Sequence, residues 1–272
     1  MAAERTGVSV IVPTYREAAN LVELTQRVFE ALDAAGLCGE LIFVDDDSRD
    51  GSEAIVSDLA TTRPVRMHVR RGERGLSSAV IAGFGLARYD VLAVLDADLQ
   101  HPPERLPDVV APILADTADF VIGSRYVTGG VVAERWPWFR RLNSLMATWL
   151  ARPLTHVRDP MSGFFGLHRR TWQQARDLNP IGYKIALELL VKSRCRCVIE
   201  IPISFNPRSA GESKLTFREQ LRYLRHLVRL YWFRYSWYIL VGFVVAAGVV
   251  ATLVGFRVQG SEFRVQGLGF TV

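Results

Sequence analysis

Two clusters of aspartates follow apolar segments that are typical of buried strands. Asp45–Asp47 follow the segment Leu41–Val44, and Asp96 and Asp98 follow the segment Val91–Leu95. In open α/β sheets, ligands bind at the carboxyl edge, where such residues lie. Alternate carboxylates can offer oxygen ligands to Mg²⁺ or Mn²⁺, and these ions commonly bind substrate phosphates as well. The pattern therefore indicates metal-assisted chemistry on a phosphorylated ligand.

A simpler interpretation exists for each aspartate taken alone. A single Asp after a strand usually caps the next helix, and an isolated Asp-x-Asp is common and uninformative. Two clusters are harder to explain by capping. The second cluster also lies within LDADLQHPPE, residues 95–104, which is a more specific pattern than the aspartates themselves.

The elements that must position these aspartates alternate between strand and helix patterns. Strands are predicted at residues 8–12, 41–44, 65–69, 91–95, 120–122 and 198–203. Helices are predicted at residues 21–32, 76–87, 136–151, 171–178 and 184–194, with another beginning near Pro103 and an extended segment at 160–167. Continuous apolar strand segments are typical of parallel strands that are buried on both faces. We therefore predict an α/β domain with a mainly parallel central sheet.

The carboxyl-terminal part of the chain has a different composition. Arg218, Arg222, Arg225 and Arg229 recur among apolar side chains, which predicts a basic amphipathic helix over residues 216–236 on an anionic membrane surface. Residues 237–256 are uninterruptedly apolar and long enough to cross a bilayer. The alternatives are a packed surface helix and a buried core helix. Residues 257–272 form a short tail in which FRVQG occurs twice.

Composition limits the class of protein and its partners. The chain has 272 residues, 49% of them hydrophobic. This length allows one sizeable catalytic domain, which we predict over residues 1–215, with an appendage after it. The formal net charge of +5 favours an anionic partner such as a nucleotide or a lipid phosphate. Zinc-finger and aromatic RNA-binding signatures are missing, so we expect no nucleic acid partner.

The ordered motifs resemble the dolichol/polyprenol-phosphate mannose synthases, which are family 2 glycosyltransferases of GT-A fold. The resemblance covers roughly residues 8–235. The matching segments are VPTYREAANL (12–21), FVDDDSRDGS (43–52), RGLSSAVIAGF (74–84), LDADLQHPPE (95–104), GSRYVTGG (123–130), DPMSGFFGLHR (159–169), GYKIALELL (182–190) and RSAGESKLT (208–216). Any one segment is a weak signal, whereas their shared order is specific.

The resemblance implies a role for each matching residue. The nucleotide-contacting residues are Pro13, Tyr15, Glu17, Val44 and Asp46. The donor diphosphate site adds Asp96, Ala97, Asp98, Arg125, Arg208 and Lys214. The ligands of Mg²⁺ or Mn²⁺ are Asp96, Asp98 and Gln100. The first motif departs from the family's usual PTYNE because Arg16 replaces the Asn, so the shape of this turn is not carried over.

The acceptor side is also implied by the resemblance. Arg140 and Ser144 match the region that receives the acceptor phosphate, and Arg208 and Lys214 match a loop that closes over the phosphates. The physical reading agrees, because departure of a nucleoside diphosphate develops negative charge that a metal and cationic side chains stabilise. A phosphate acceptor carries no proton to remove, so we expect inversion without a protein base. Asp159 is the candidate for a conventional base.

The reaction so implied is transfer of mannose from GDP-mannose to a polyprenyl or dolichyl phosphate. The alternative is the same chemistry with another donor such as UDP-glucose. A catalytically silent membrane scaffold is disfavoured by the intact Asp96, Asp98, Arg125 and Lys214, and a nucleotidyltransferase needs no polyprenyl site beside a membrane anchor. We expect a single carboxyl-terminal anchor with the catalytic domain facing the cytosol, because arginine-rich flanks stay on that side.

Overall fold

The computed structural model describes residues 7–132, 138–179, 181–182, 184–193, 195–206, 220–238, 241–242 and 245. The chain divides into two compact units, residues 1–227 and residues 228–272. The first unit contains the central sheet and its covering helices.

A seven-stranded sheet forms the centre of the first unit, with strand order β3-β2-β1-β4-β7-β5-β8. The strands are β1 (Val8–Thr14), β2 (Gly39–Asp45), β3 (Val65–Val69), β4 (Val91–Val94), β5 (Phe120–Ser124), β6 (Val131–Val132), β7 (Phe165–His168), β8 (Val198–Pro202) and β9 (Ser204–Phe205). β1 pairs in parallel with both β2 and β4, and β5 pairs in parallel with β8. β7 runs antiparallel to its neighbours β4 and β5. A small parallel pair joins β6 to β9.

Helices cover the sheet on both faces. They are α1 (Ala18–Ala34), α2 (Ser52–Leu59), α3 (Leu76–Leu86), α4 (Leu106–Leu114), α5 (Trp138–Ala151), α6 (Arg169–Gln174), α7 (Ile185–Lys192) and α8 (residues 220–238), with a 3₁₀ turn at Pro103–Arg105. Side chains alternate along β1, so Val10 and Val12 pack with α1 and α4 while Ile11 packs with α3 and α7. This two-sided burial explains the continuous apolar strand segments.

Helix α3 lies unusually close to the sheet at one glycine. A Cβ atom at Gly83 would come within 2.4 Å of Ile11 Cγ2. No larger residue fits there without a shift of the helix or strand, so the glycine in this helical pattern is a packing requirement. The same Cβ position lies 3.2 Å from Val44 Cγ2, so this part of α3 packs against both β1 and β2.

The predicted α/β domain with a mainly parallel sheet is confirmed, with differences in detail. The reversed direction of β7 was not predicted, nor were α2 and the short β6–β9 pair. The predicted extended segment 160–167 is a strand only from Phe165, because Ser162 N donates to Asp159 O and closes a turn before it. The helix predicted at 171–178 runs from Arg169 to Gln174 instead.

Most of the predictions for the carboxyl-terminal part of the chain fall on residues that the structure does not describe. Residues 220–238 are helical. Over the residues that the structure describes, no helix combines the length and the apolar character needed to cross a membrane. The predicted span 237–256 lies mostly outside those residues. The tail 257–272 and the segment 207–219, which contains Arg208 and Lys214, lie outside them entirely.

Candidate active site

The strand order changes direction at β1, and this creates a crevice at the carboxyl edge of the sheet. β1 lies between β2 and β4. From β1 the chain continues to β2 and β3 on one side, and it then returns to β4 on the other side of β1. Thr14 pairs with Asp45 across β1 and β2, and Leu95 N donates to Ile11 O at 3.3 Å. The two aspartate clusters therefore follow strands that flank β1, as ligand sites in open α/β sheets require.

The three adjacent aspartates of the first cluster have different surroundings. Asp45 is buried and accepts hydrogen bonds from Ser48 N at 2.8 Å and Thr14 Oγ1 at 3.3 Å, so it fixes the turn. Asp47 is paired with Arg49 at 2.8 Å beside open solvent. Asp46 is buried at the edge of the crevice, and its role near the nucleotide stays a prediction.

The turn after β1 has a backbone conformation that explains the family's preference for Asn. Arg16 has φ of 58°, in the left-handed region where Asn is tolerated better than most side chains. Its backbone N donates to Ser48 Oγ at 2.8 Å. The Arg16 and Arg74 guanidinium groups lie 5.3 and 4.9 Å from the centre of the Tyr15 ring. Glu17 accepts a hydrogen bond from Asn20 Nδ2 at 2.8 Å.

The second aspartate cluster forms a tight turn beyond β4. Leu99 has φ of 58°, and Gln100 N donates to Asp98 Oδ1 at 3.2 Å. Gln100 and Asn206 exchange two hydrogen bonds: Gln100 Nε2 donates to Asn206 O at 3.1 Å and Asn206 N donates to Gln100 O at 3.0 Å. Because the amide nitrogen of Gln100 is held by Asn206, its amide oxygen is the atom left to act as a ligand.

A glycine allows the Asp96 carboxylate to adopt its position. A Cβ atom on Gly163 would lie 2.7 Å from Asp96 Oδ2, so any side chain there displaces the carboxylate. The Asp96 side chain is 31% exposed towards the crevice, whereas Asp98 is buried. This contact gives Gly163 of the DPMSGFF segment a role that the sequence pattern alone did not show.

The donor atoms around Asp96 and Asp98 fit a hard divalent cation. Two carboxylates and one amide oxygen are the oxygen ligands that Mg²⁺ and Mn²⁺ accept. Within the part of the chain that the structure describes, no group of three or more His, Cys, Asp or Glu side chains is arranged to hold a metal ion.

His101 stabilises the turn beyond β4 through its contacts in the interior. It is buried, packs against Phe164 and Phe205 with ring centres 5.7 and 5.3 Å away, and its Nδ1 accepts from Asp96 N at 3.4 Å. Burial lowers the pKa of His101 to about 4. The imidazole is therefore neutral at physiological pH, and its contacts give it a structural role in the turn.

Arg125 and Asp159 form a buried bidentate ion pair at the end of β5. Arg125 Nε donates to Asp159 Oδ2 at 2.7 Å and Nη2 donates to Oδ1 at 2.8 Å, while the backbone N of Arg125 also donates to Oδ2 at 3.0 Å. The side chains are 8% and 0% exposed. Burial opposes the charge of Arg125, but the hydrogen bonds and charge of Asp159 outweigh it and raise the Arg125 pKa. Both carboxylate oxygens are thus engaged, which disfavours Asp159 as a general base.

Sequence analysis assigned no role to Lys184, and the structure places it in the site. Lys184 Nζ donates to Met161 O at 2.8 Å. Burial, together with the charge of Arg125, lowers the pKa of Lys184 to about 8, and the carboxylates of Asp159 and Asp96 act in the opposite direction. A pKa of that size leaves the ammonium mostly protonated at neutral pH. The only available signal was its position inside the matching segment GYKIALELL.

The acceptor residues predicted on α5 are described only in part. Ser144 Oγ lies 2.9 Å from Tyr126 OH, so Ser144 faces the segment that follows Arg125. Arg140 lies one helical turn earlier on α5. Its side chain is outside the described part of the structure, as are Arg208 and Lys214 entirely. The structure therefore places the predicted nucleotide, metal and Arg125 positions at one edge of the sheet, and the roles of all the predicted site residues stay predictions.

Comparison with known proteins agrees with this geometry. Residues 9–171 match the family described as glycosyl transferase family 2. The chain is 47% identical over 227 residues to a dolichol-phosphate mannosyltransferase from Pyrococcus furiosus, which covers 82% of this chain but only 63% of that protein. It is 46% identical to the Saccharomyces cerevisiae dolichol-phosphate mannosyltransferase, over 84% of this chain and 88% of the yeast protein.

The fold is also similar to that of solved structures. Glucosyl-3-phosphoglycerate synthase from Mycobacterium tuberculosis, in complex with Mn²⁺ and uridine diphosphate, superposes with a TM-score of 0.61 at 17% identity. The superposition covers 84% of this chain and 80% of that one. With the strand-end aspartates, the bidentate Arg125 and the family match in agreement, the chain belongs to glycosyl transferase family 2.

Proposed function

We propose that the protein transfers mannose from GDP-mannose to a polyprenyl monophosphate, with inversion at the anomeric carbon. The observation that carries the proposal is the meeting of oxygen ligands and buried cations at one edge of the sheet. Asp96 and Asp98 lie there with Arg125 and Lys184, next to the nucleotide side at Asp46. The choice of sugar and acceptor rests on the relatives, which are dolichol-phosphate mannosyltransferases.

The donor occupies the crevice in this proposal. The turn at Pro13–Glu17, with Val44 and Asp46, binds the nucleoside, and Asp96, Ala97 and Asp98 lie next to the diphosphate. Asp96, Asp98 and Gln100 would hold a Mg²⁺ or Mn²⁺, which would supply positive charge to stabilise the leaving diphosphate. Arg125 is held rigid by Asp159 and presents a fixed cation, which stabilises developing charge without reorganisation. Arg208 and Lys214, in the segment 207–219, add two more cations to the diphosphate site.

The acceptor needs positioning rather than activation. A phosphate monoester has its second pKa near 6 and is largely dianionic at neutral pH, so its attacking oxygen has no proton to lose. The saturation of both Asp159 oxygens by Arg125 supports a mechanism without a protein base. Arg140 and Ser144, four residues apart on α5, bind the acceptor phosphate against repulsion from the donor diphosphate.

Exposed apolar side chains support a membrane-facing side next to the acceptor residues. On α5 and the first part of α8 these are Leu142, Leu145, Met146, Trp149, Leu221 and Leu224, with Trp149 74% exposed. The two helices are joined by a hydrogen bond from Tyr223 OH to Ala147 O at 2.7 Å. An apolar patch of this kind is typical of a membrane-binding surface. We propose membrane attachment on this side, a single anchor at 237–256 and a catalytic domain in the cytosol.

The reaction is tested by identifying the lipid product. Purified protein with Mg²⁺ or Mn²⁺ is incubated with polyprenyl phosphate and either GDP-mannose or UDP-glucose. We expect polyprenyl phosphate mannose from GDP-mannose only, with the anomeric configuration opposite to that of the donor. Glucose transfer from UDP-glucose would replace the donor assignment, and retained configuration would replace direct displacement. No transfer from any donor would favour a scaffold.

Replacement of Arg140 by alanine tests the acceptor side. We expect the KM for polyprenyl phosphate to rise by about tenfold or more, because a charge-assisted contact to phosphate is lost. The dissociation constant of GDP should change little. Steady-state kinetics with varied acceptor, together with nucleotide binding, provide the measurement. The exposed Arg152, just beyond α5, is the matched control and should give wild-type values. An unchanged acceptor KM for Arg140→Ala would remove Arg140 from the site.

A further inference from the structure

Arg70 is a buried arginine at the end of β3, beside the nucleotide side of the crevice. Its side chain is 3% exposed, and all three guanidinium nitrogens are engaged. Nε donates to Asp46 Oδ1 at 2.9 Å, and Nη1 donates to Ser78 Oγ at 2.9 Å. Nη2 donates to Gly75 O at 3.0 Å and also to Asp46 Oδ1. One side chain therefore joins β2, the loop after β3 and the start of α3.

These contacts form a closed ring with Asp46 and Gly75. Gly75 N donates to the second oxygen of Asp46, Oδ2, at 2.8 Å, so both oxygens of this carboxylate are fixed. Gly75 has φ of 145°, a conformation that L side chains rarely adopt. Arg70 also fixes the backbone, since its N donates to Asp45 O at 2.7 Å. The ring thus holds the loop 70–75 at one position relative to β2.

The loop held by Arg70 also contains a residue that contacts Tyr15 of the proposed nucleotide site. Arg74 immediately precedes Gly75, and its guanidinium lies 4.9 Å from the centre of the Tyr15 ring. A displacement of Gly75 therefore moves Arg74 away from Tyr15 and frees one oxygen of Asp46. Asp46 and Tyr15, both residues of the proposed nucleotide site, therefore depend on a single buried guanidinium.

We propose that Arg70 is a positioning residue that sets the affinity for the nucleoside diphosphate through Asp46 and the Arg74–Tyr15 contact. This inference rests on the proposed function for the identity of the donor. Arg70 acts through these neighbours because its own side chain is buried. A lysine keeps the charge but not the planar fork that reaches Asp46, Ser78 and Gly75 together. Its ammonium leaves part of the ring unmade, and a buried carboxylate with an incomplete partner is costly.

The test compares Arg70→Lys with Arg66→Lys. Arg66 lies in β3, four residues before Arg70, and pairs with buried Glu40 at 3.1 Å. Each substitution weakens one pair between an arginine and a buried carboxylate, and only Arg70 adjoins the proposed nucleotide site. The Arg66 side chain is 35% exposed and the Arg70 side chain 3%, so thermal unfolding of both variants is measured beside binding to separate a loss of stability from a loss of affinity. The measurements are calorimetric binding of GDP and of UDP in Mn²⁺, and kcat and KM for GDP-mannose.

For Arg70→Lys we expect the GDP dissociation constant and the donor KM to rise about tenfold, as one charge-assisted contact implies, with kcat nearly unchanged. Arg66→Lys should bind GDP like the wild type. Wild-type affinity in Arg70→Lys, a fall in kcat at unchanged KM, or equal weakening in Arg66→Lys would overturn the proposal.

A second variant covers the case in which Arg70→Lys does not fold. Gly75→Ala disturbs the same ring through its backbone, because φ of 145° is unfavourable for alanine. It should give the same rise in donor KM with kcat maintained, and unchanged donor KM would contradict the ring. Failure of the proposed function gives a different result. If the wild type binds UDP more tightly than GDP, the proposed donor is wrong, but the comparison of variants, made with UDP, still tests the role of Arg70.

Discussion

Replacement of Asp98 by alanine is expected to lower the turnover of mannosyl transfer by about a thousandfold, because charge stabilisation at the leaving diphosphate is lost. Asp98 is buried at the turn beyond β4 and accepts from Gln100 N at 3.2 Å. Alanine removes both the proposed metal ligand and this hydrogen bond. Turnover, thermal unfolding and Mn²⁺ binding by electron paramagnetic resonance are measured on the same preparation.

The isosteric variant Asp98→Asn separates the two effects. Its amide oxygen can still accept from Gln100 N, so the turn is kept, while the charge that favours a divalent cation is lost. We expect a loss of turnover close to that of alanine and weaker Mn²⁺ binding. Asp108→Ala on α4 is the control, since Asp108 is exposed and pairs only with Arg105 among the described contacts. Full activity of either Asp98 variant, or of the wild type in excess EDTA, would remove the metal from the mechanism.

Replacement of Asp159 by asparagine is expected to lower kcat by about ten- to a hundredfold, on the scale of one misplaced electrostatic contact, without changing the shape of the pH–rate profile. Asp159 holds Arg125 through two side-chain hydrogen bonds and is fully buried. Asparagine offers one acceptor where two are needed, and it leaves the Arg125 charge incompletely paired. Breaking a buried ion pair in this way costs about 3–5 kcal/mol of stability.

The pH–rate profile distinguishes positioning from general-base catalysis. A general base adds an acidic limb to the profile of kcat, and this limb disappears when the base is removed. If Asp159 only positions Arg125, every limb that the wild type shows persists in Asp159→Asn. Asp90→Asn is the matched control, because Asp90 pairs with Arg169 at 3.1 Å on the surface before β4. Loss of a limb in Asp159→Asn alone would assign Asp159 as the base.

Local patterns were sufficient for the strands β1 to β5 and β8 and for the residues that follow them. Apolar segments followed by carboxylates identified Asp46, Asp96 and Asp98, because the carboxyl ends of neighbouring parallel strands meet at one edge. The hydrogen bond between Gln100 and Asn206 joins residues 106 apart in sequence, and the pair of Arg125 and Asp159 joins residues 34 apart. No local periodicity encodes such contacts.

Two functional candidates were not predicted from the sequence, and the reason is the same for both. Lys184 and Arg70 are cations in segments that read as ordinary helix or strand ends, and only burial distinguishes them from solvated surface charges. The antiparallel β7 is four residues long, too short for its direction to be inferred from its composition. The resemblance named Arg140, Arg208 and Lys214, but the structure describes none of their side chains.

The reversed direction of β7 has a consequence for how this scaffold diversifies. β5 leaves the sheet at its carboxyl edge, and antiparallel β7 enters at that same edge, with Gly123 N bonded to Phe164 O at 2.8 Å. The chain between them, including α5, is therefore an excursion that starts and finishes at one place. The Arg125–Asp159 pair fastens its two ends. Such an excursion can be exchanged or resized without altering the register of the seven-stranded sheet, because its one short strand, β6, pairs outside that sheet with β9. On the proposed function, one donor-binding framework can therefore acquire new acceptors by replacement of a single insert.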